Sequence, residues 1–251
     1  MLKKKFFALL LCVAMAVSAG ALAEGTLPAA SSYSEILNSL GLQLIAPGAA
    51  QEAAWYVIDG GIAQVGFSIY EAPYTLRAKA AAQDEDISGM TFGEGAETPV
   101  SVLWNEGSFR AEEGVGARVR WYDALNGVAY SLSCEDAGVD GGTLAEYAAD
   151  AYRCCAKGVS VELPGDASTG YIWGAMNYDV EKINVSAPIY EETESGRYIF
   201  VIAGEQANVE DAVSFVYYCP EQGLDSVTAI RNFSVRIDGD YNAEISEESA
   251  G

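Results

Sequence analysis

The chain has 251 residues, 36 of them acidic against 14 basic, with a formal net charge of −22 and no histidine. That balance disfavours nucleic acid and anionic membrane surfaces as partners, because both need basic patches. Without histidine the commonest general base, the Ser-His and Cys-His nucleophile pairs and the commonest zinc ligand are all missing, so the chain is read as a non-enzyme with no catalytic residue, metal site or cofactor.

Lys3, Lys4 and Lys5 precede an apolar run from Phe6 to Ser18, and Ala21-Leu22-Ala23 places small residues where a signal peptidase reads. The run is shorter than the roughly 20 apolar residues that cross a bilayer. Residues 1–23 are therefore expected to be a signal peptide, leaving a secreted monomer without membrane insertion. Cleavage takes the 14 cations to 11 and spares all 36 carboxylates, for a net charge of −25. Cys134, Cys154, Cys155 and Cys219 remain, and an oxidising compartment permits them to pair. The adjacent Cys154–Cys155 pairing is strained, and a bond from Cys134 to either of them is one candidate among the three connectivities.

Residues 24–157 read as an α+β domain. Ser32 followed by Glu35 is a capping box, and Ile36, Leu37 and Leu40 share a helical face before Gly41. Ala53 to Ile58 and Ile62 to Tyr70 alternate around Asp59-Gly60-Gly61, a hairpin signal, and Tyr74 to Ala80 reads as a third strand. Gln83 to Asp86 is expected to be a solvated turn. Ala117 to Tyr122 and Val128 to Cys134 flank Asn126-Gly127, a second hairpin, and Thr143 with Glu146 predicts a capping box opening a helix to about Arg153. Through Asp86-Ile87-Ser88-Gly89 this half is similar to uncharacterised sheet domains of exported Gram-positive proteins, a resemblance that implies no activity.

After Gly158 the helical spacing stops. Short period-two sets follow: Val159, Val161 and Leu163; Tyr171 and Trp173; Ile183 and Val185; Tyr198, Phe200 and Ile202; Val213, Phe215 and Tyr217; Phe233, Val235 and Ile237. Six or seven such strands over residues 158–239 predict an all-β, immunoglobulin-like antiparallel sandwich. Residues 240–251 are small and acidic, and are expected to form a disordered tail.

The most specific string is Leu163-Pro164-Gly165-Asp166-Ala167-Ser168-Thr169-Gly170-Tyr171-Ile172-Trp173. It resembles the first inhibitory loop of the chagasin family of cysteine protease inhibitors, which reads approximately N-P-T-T-G-aromatic-x-W after a strand ending in leucine. Thr169, Gly170, Tyr171 and Trp173 match, Ser168 replaces a threonine, Asp166 stands for the asparagine and Ala167 for the proline. Arg197 to Ala203, Ala212 to Tyr218 and Ala229 to Ile237 follow in the order of the family's later strands. The resemblance implies a reversible, non-covalent inhibitor of papain-like cysteine proteases that inserts a loop into the catalytic cleft. The implied contacts are Asp166, Ala167, Ser168, Thr169, Gly170 and Tyr171, then Glu194, Ser195 and Gly196, then Cys219, Pro220 and Glu221. Trp173 is expected to anchor the loop base.

Two loops depart from the family. Where it has R-P-W, this chain has Cys219-Pro220-Glu221, and the loss of an indole hot spot costs about 2 kcal/mol, roughly thirtyfold in affinity, unless Tyr217 or Tyr218 compensates. The glycine-rich middle loop becomes Glu191-Glu192-Thr193-Glu194-Ser195-Gly196, so Glu191, Glu192, Glu194 and Glu221 are expected to gather at the rim and select a protease with a basic cleft edge. The alternative is a secreted or surface interaction module on the same scaffold with another ligand.

Overall fold

The computed structural model describes residues 30–58 and 60–248; the expected signal peptide and the turn residue Asp59 lie outside them. Ser32 caps the first helix as its side-chain pattern requires. It accepts from the Glu35 amide, Glu35 accepts from the Ser32 amide at 2.8 Å, and Gly41 ends the run at φ 67°, in the left-handed region. This helix is α1 (Tyr33–Leu40), and it buries Tyr33 and Ile36.

Seven antiparallel strands follow: β1 (Gln51–Ile58), β2 (Ile62–Ile69), β3 (Ala72–Ala80), β4 (Thr98–Val102), β5 (Asn105–Glu112), β6 (Gly116–Asp123) and β7 (Val128–Cys134). They form one sheet in the order β1-β2-β3-β7-β6-β5-β4. Period-two alternation gives this sheet two unlike faces. Trp55, Val65, Leu76, Leu132, Val119 and Phe109 stand opposite one another in a single rung on the apolar face. One rung on the other face reads Gln64, Arg77, Ser131, Arg120, Ser108. The β4–β5 hairpin has no counterpart in the sequence reading, because its turn is Leu103-Trp104 rather than an Asn-Gly or Gly-rich pair; Leu103 itself takes φ 53°. The sheet's outer strands are both irregular: β1 carries a register shift between Gln51 and Ala54, and β4 contains Pro99.

The acidic segment after β3 is largely exposed, as expected of Gln83 to Asp86, but its carboxylates are also paired. It crosses the polar face, where Arg118 pairs with Asp86 and Glu97, Arg120 with Asp84 at 2.9 Å and Glu97 at 3.0 Å, and Lys79 with Glu85 at 2.7 Å. Arg77 donates to the Ile87 carbonyl at 3.1 Å, and both Arg110 and Arg118 lie over the Phe92 ring. Burial, helped by the neighbouring Arg120 charge and opposed by Asp84, pulls Arg118 down to about 10, so it stays a cation at neutral pH.

Helix α2 (Gly141–Lys157) covers the apolar face, and Asp140 is its N-cap, accepting from the Thr143 amide at 3.0 Å and hydroxyl at 2.7 Å. Thr143 therefore sits inside the first turn instead of capping it, and the helix runs past its expected end near Arg153. Beyond it come β8 (Val159–Pro164), β9 (Ile172–Met176), β10 (Ile183–Val185), β11 (Ile189–Glu191), β12 (Arg197–Gly204), β13 (Val209–Tyr218), β14 (Ala229–Ile237) and β15 (Ala243–Glu247). One sheet has β12 at its centre, with β8 along one side and β10 and β11 end to end along the other; a second has the order β15-β14-β13-β9.

An α+β domain followed by a separate immunoglobulin-like sandwich is not what forms. Among the described residues strand outweighs helix by 47% to 15%, with two α-helices against several antiparallel sheets, so this part of the chain is mostly β. Nor are the halves independent, because one strand contributes to both of the two apolar clusters. On β12, Tyr198, Phe200 and Ile202 pack with Trp173, Phe215 and Val235, whereas Ile199, Val201 and Ala203 belong to the same cluster as Leu144, Ala148 and Trp121. Helix α2 touches β4, β6 and β7 on one side and β12 on the other. Trp104 adds a second bridge, its ring 5.8 Å from both Tyr152 and Tyr241.

Residues 240–248 are not a disordered tail either. Asp238 accepts from the Asp240 and Asn242 amides to turn the chain, and β15 then pairs with β14, with Ile245 opposite Val235. Glu247 pairs with Arg231, and Glu244 lies 3.5 Å from Arg236. Cys134, Cys154, Cys155 and Cys219 are all buried free thiols, so neither candidate bond from Cys134 forms. Burial pushes Cys155 up to about 12, and its sulfur accepts from the Ile45 amide at 3.2 Å.

A strand that belongs to both clusters predicts a shared transition. Ile199→Ala should cost about 2–5 kcal/mol, as core truncations do, and chemical denaturation followed at Trp121 and Trp173 should show one coincident transition in wild type and variant. Two separable transitions would show that the halves fold independently.

Candidate functional site

Three connections meet at one end of the paired sheets. The register fixes this: Pro164 at the end of β8 is opposite Arg197 at the start of β12, and Tyr218 at the end of β13 is opposite Ile172 at the start of β9. The β8–β9, β11–β12 and β13–β14 loops therefore project together, and the Gly165 amide donates to the Gly196 carbonyl at 3.2 Å to join the first two.

The first loop is ordered by its own backbone. Asp166 accepts from the Ser168 amide at 2.8 Å, its carbonyl takes the Thr169 hydroxyl at 2.6 Å, and Ala167–Thr169 form one 3-10 turn. Gly170 closes the turn at φ 79°, donating to the Ala167 carbonyl at 3.1 Å. An added Cβ there would touch nothing, so glycine is required by the left-handed backbone and not by crowding. The side-chain and backbone hydrogen bonds from Ser168 hold the Asp166 carboxyl below its ordinary value. Trp173 is buried as expected, and its indole N–H donates to the Pro164 carbonyl at 2.8 Å, fastening the loop base.

Below the turn stands Tyr217. Its hydroxyl lies 3.3 Å from both the Asp166 carbonyl and the Thr169 hydroxyl, and its ring is 5.5 Å from Tyr171 and 5.2 Å from Trp173. Tyr198 donates to the Tyr171 carbonyl at 3.1 Å. Tyr217 thus braces the first loop from within, which removes it as a free rim residue replacing the missing indole.

Of the expected contacts, Asp166, Ala167, Ser168, Thr169, Gly170, Glu194, Ser195, Pro220 and Glu221 are exposed and Tyr171 is half-buried. Cys219 and Gly196 are instead buried. The Cys219 side chain is buried under its loop, with its amide on the Ser226 hydroxyl at 2.9 Å. Gly196 is buried at φ 64°, where a Cβ would collide with the Gly165 carbonyl. Glu191 is also withdrawn from the rim, 7% exposed and held by Arg197 and Ser34. Three exposed apolar side chains belong to these loops and their stems, Tyr190, Leu224 and Ile230. Leu224 was legible only as a lone leucine in an acidic turn.

Burial acts to raise the Glu191 pKa, but hydrogen bonds from Ser34 and Arg197 outweigh it, and the net value lies below the ordinary 4.5. A depressed carboxylate contributes stability above its unfolded pKa and loses it as pH falls through the folded one. Glu191→Gln should therefore be less stable than wild type at neutral pH, with the gap closing as pH falls below about 4.5, measured by denaturant unfolding at stepped pH. Tyr217→Phe should speed exchange of the Thr169 and Gly170 amides without moving the midpoint of global unfolding by more than about 1 kcal/mol.

No group of histidine, cysteine and carboxylate side chains among the described residues is arranged to hold a metal ion, and no helix among them is long and apolar enough to cross a membrane. No protein-family model, curated protein or solved structure matches the chain.

Proposed function

We propose that the protein is a secreted, reversible inhibitor of papain-like cysteine proteases, acting by insertion of the Asp166–Gly170 loop into the catalytic cleft and not by catalysis. The observation that carries this reading is a self-braced turn standing at an end where two other loops converge. Its 3-10 conformation keeps the Ala167–Thr169 peptides out of the extended geometry that attack on a carbonyl requires. The turn's own hydrogen bonds pre-order it, sparing roughly 0.5–1.5 kcal/mol for each side chain that docking would otherwise immobilise. The likeness of Thr169, Gly170, Tyr171 and Trp173 to the chagasin first loop supports the target class.

The exposed charges of the three loops are Asp166, Glu192, Glu194, Glu221 and Asp225, all acidic. This favours a protease whose cleft edge is basic, and association with it should slow as salt rises. The acidic middle and last loops also favour a second reading, an interaction surface for a different basic protein.

Because β12 feeds both apolar clusters, the test uses residues 24–251. Titrated against papain, this chain should inhibit peptide hydrolysis; Gly170→Glu should weaken inhibition about tenfold or more, a loss of about 1.4 kcal/mol, with Thr169→Ala weakening it less and Glu221→Ala least. Full papain activity at tens of micromolar protein would overturn the inhibitor reading and leave the second.

A further inference from the structure

Ser34 and Glu191 are 157 positions apart, yet the first turn of α1 is tied to the middle loop through them. Ser34 lies in the first turn of the helix, where backbone N–H groups have no partner within it. Its amide donates to one Glu191 carboxylate oxygen at 2.8 Å, and its hydroxyl donates to the other at 2.9 Å. Glu191 is the last residue of β11 and Arg197 the first of β12, so they are the two stems of the middle loop. Arg197 donates to Glu191 through Nε at 3.0 Å and Nη2 at 2.6 Å, to the Ser34 hydroxyl at 2.8 Å, and through Nη1 to Glu162 on β8 at 2.8 Å.

The Glu191 carboxylate is thus withdrawn from water and answered by four donors, two of them from α1. A carboxylate at this end of a helix is also favoured by the helix dipole. The helix is itself fastened: Tyr33 is 2% exposed, and its hydroxyl reaches Gln43 at 3.3 Å and lies 3.5 Å from the Ser160 hydroxyl of β8. From Arg197 the path continues one residue back to Gly196, whose carbonyl receives the Gly165 amide of the first loop.

We infer that α1 is a positioning element of the three-loop end, and that Ser34, Glu191 and Arg197 set the spacing of the middle loop against the first; the consequence for inhibition rests on the function proposed above. This gives the N-terminal half a role at the site without any contact to a partner. Ser34, Glu191 and Arg197 are positioning residues. They act through Gly196 and Gly165.

The test compares residues 24–251 with the variants Ser34→Ala, Ser34→Thr and Glu191→Gln. Ser34→Ala removes the hydroxyl without leaving a buried charge alone, so the fold persists. Hydrogen exchange at the Gly165 and Gly196 amides should quicken about tenfold in Ser34→Ala, return towards wild type in Ser34→Thr, and stay unchanged in β2, β3 and β7, while in Glu191→Gln the two glycine amides should quicken more than those of β2, β3 and β7. Papain inhibition should weaken severalfold in step with the exchange. Unchanged exchange at the two glycines, or quickening spread evenly over the chain, would overturn the inference. A wild-type chain that leaves papain fully active removes the inhibitor reading alone, since the exchange comparison still decides whether α1 holds the loops.

Discussion

The structure depends on one strand being dry on both faces. From Tyr198 to Gly204 every residue of β12 is buried, and odd and even positions feed different clusters. Such a strand has no access to water for its backbone, so its N–H and C=O groups must be met laterally. That is why β8 lies along one side and the two short strands β10 and β11 divide the other. Helix α2 has an apolar seat because Ile199 and Val201 are turned towards it, and the opposed sheet has a partner because Phe200 and Ile202 are turned away. The loop end inherits this arrangement. Pro164, Glu191 and Arg197 are the last or first residues of β8, β11 and β12, so the three stems nearest the turn are fixed by a strand buried at every position after its first.

Local structure was largely legible where chemistry is local. The Ser32–Glu35 box, the Asn126-Gly127 hairpin and the alternation on β13 and β14 all rest on neighbours a few positions apart, and each forms. Architecture was not. Tyr198-Ile199-Phe200-Val201-Ile202-Ala203 was read by its even positions, as one face of a two-layer sandwich, although an unbroken apolar run is the mark of a strand buried on both sides. The β4–β5 hairpin escaped because Asn105, Glu106 and Gly107 are poor strand formers whose place is set by pairing with β6.

Charge misled in the same way. Asp84 and Asp86 read as solvated and are exposed, but the arginines that pair with them come from a strand some distance along the chain, which the sequence does not show. Glu191 sits in an acidic run and reads as a rim residue; its burial depends on Ser34, far beyond any pattern window. At the loop itself the motif residues Thr169, Gly170 and Trp173 were informative because their roles are internal to the turn. The roles of Gly196 and Cys219, which depend on neighbouring loops, were not.

The open sheets carry a consequence for how copies of the protein meet. A sheet that does not close leaves two strands with unpaired backbone groups, and such edges are templates for aggregation. In the seven-stranded sheet and the β15-β14-β13-β9 sheet the outermost strands are each spoiled in their own way. The β1 edge bends at its register shift, β4 holds a proline that cannot donate, and β9 is only five residues long. The other edge of that sheet, β15, presents Glu244 and Glu247, with their cationic partners set back on the neighbouring strand. Carboxylates screened over about 8 Å in physiological salt repel only at near contact, which is the range at which edge-to-edge pairing begins.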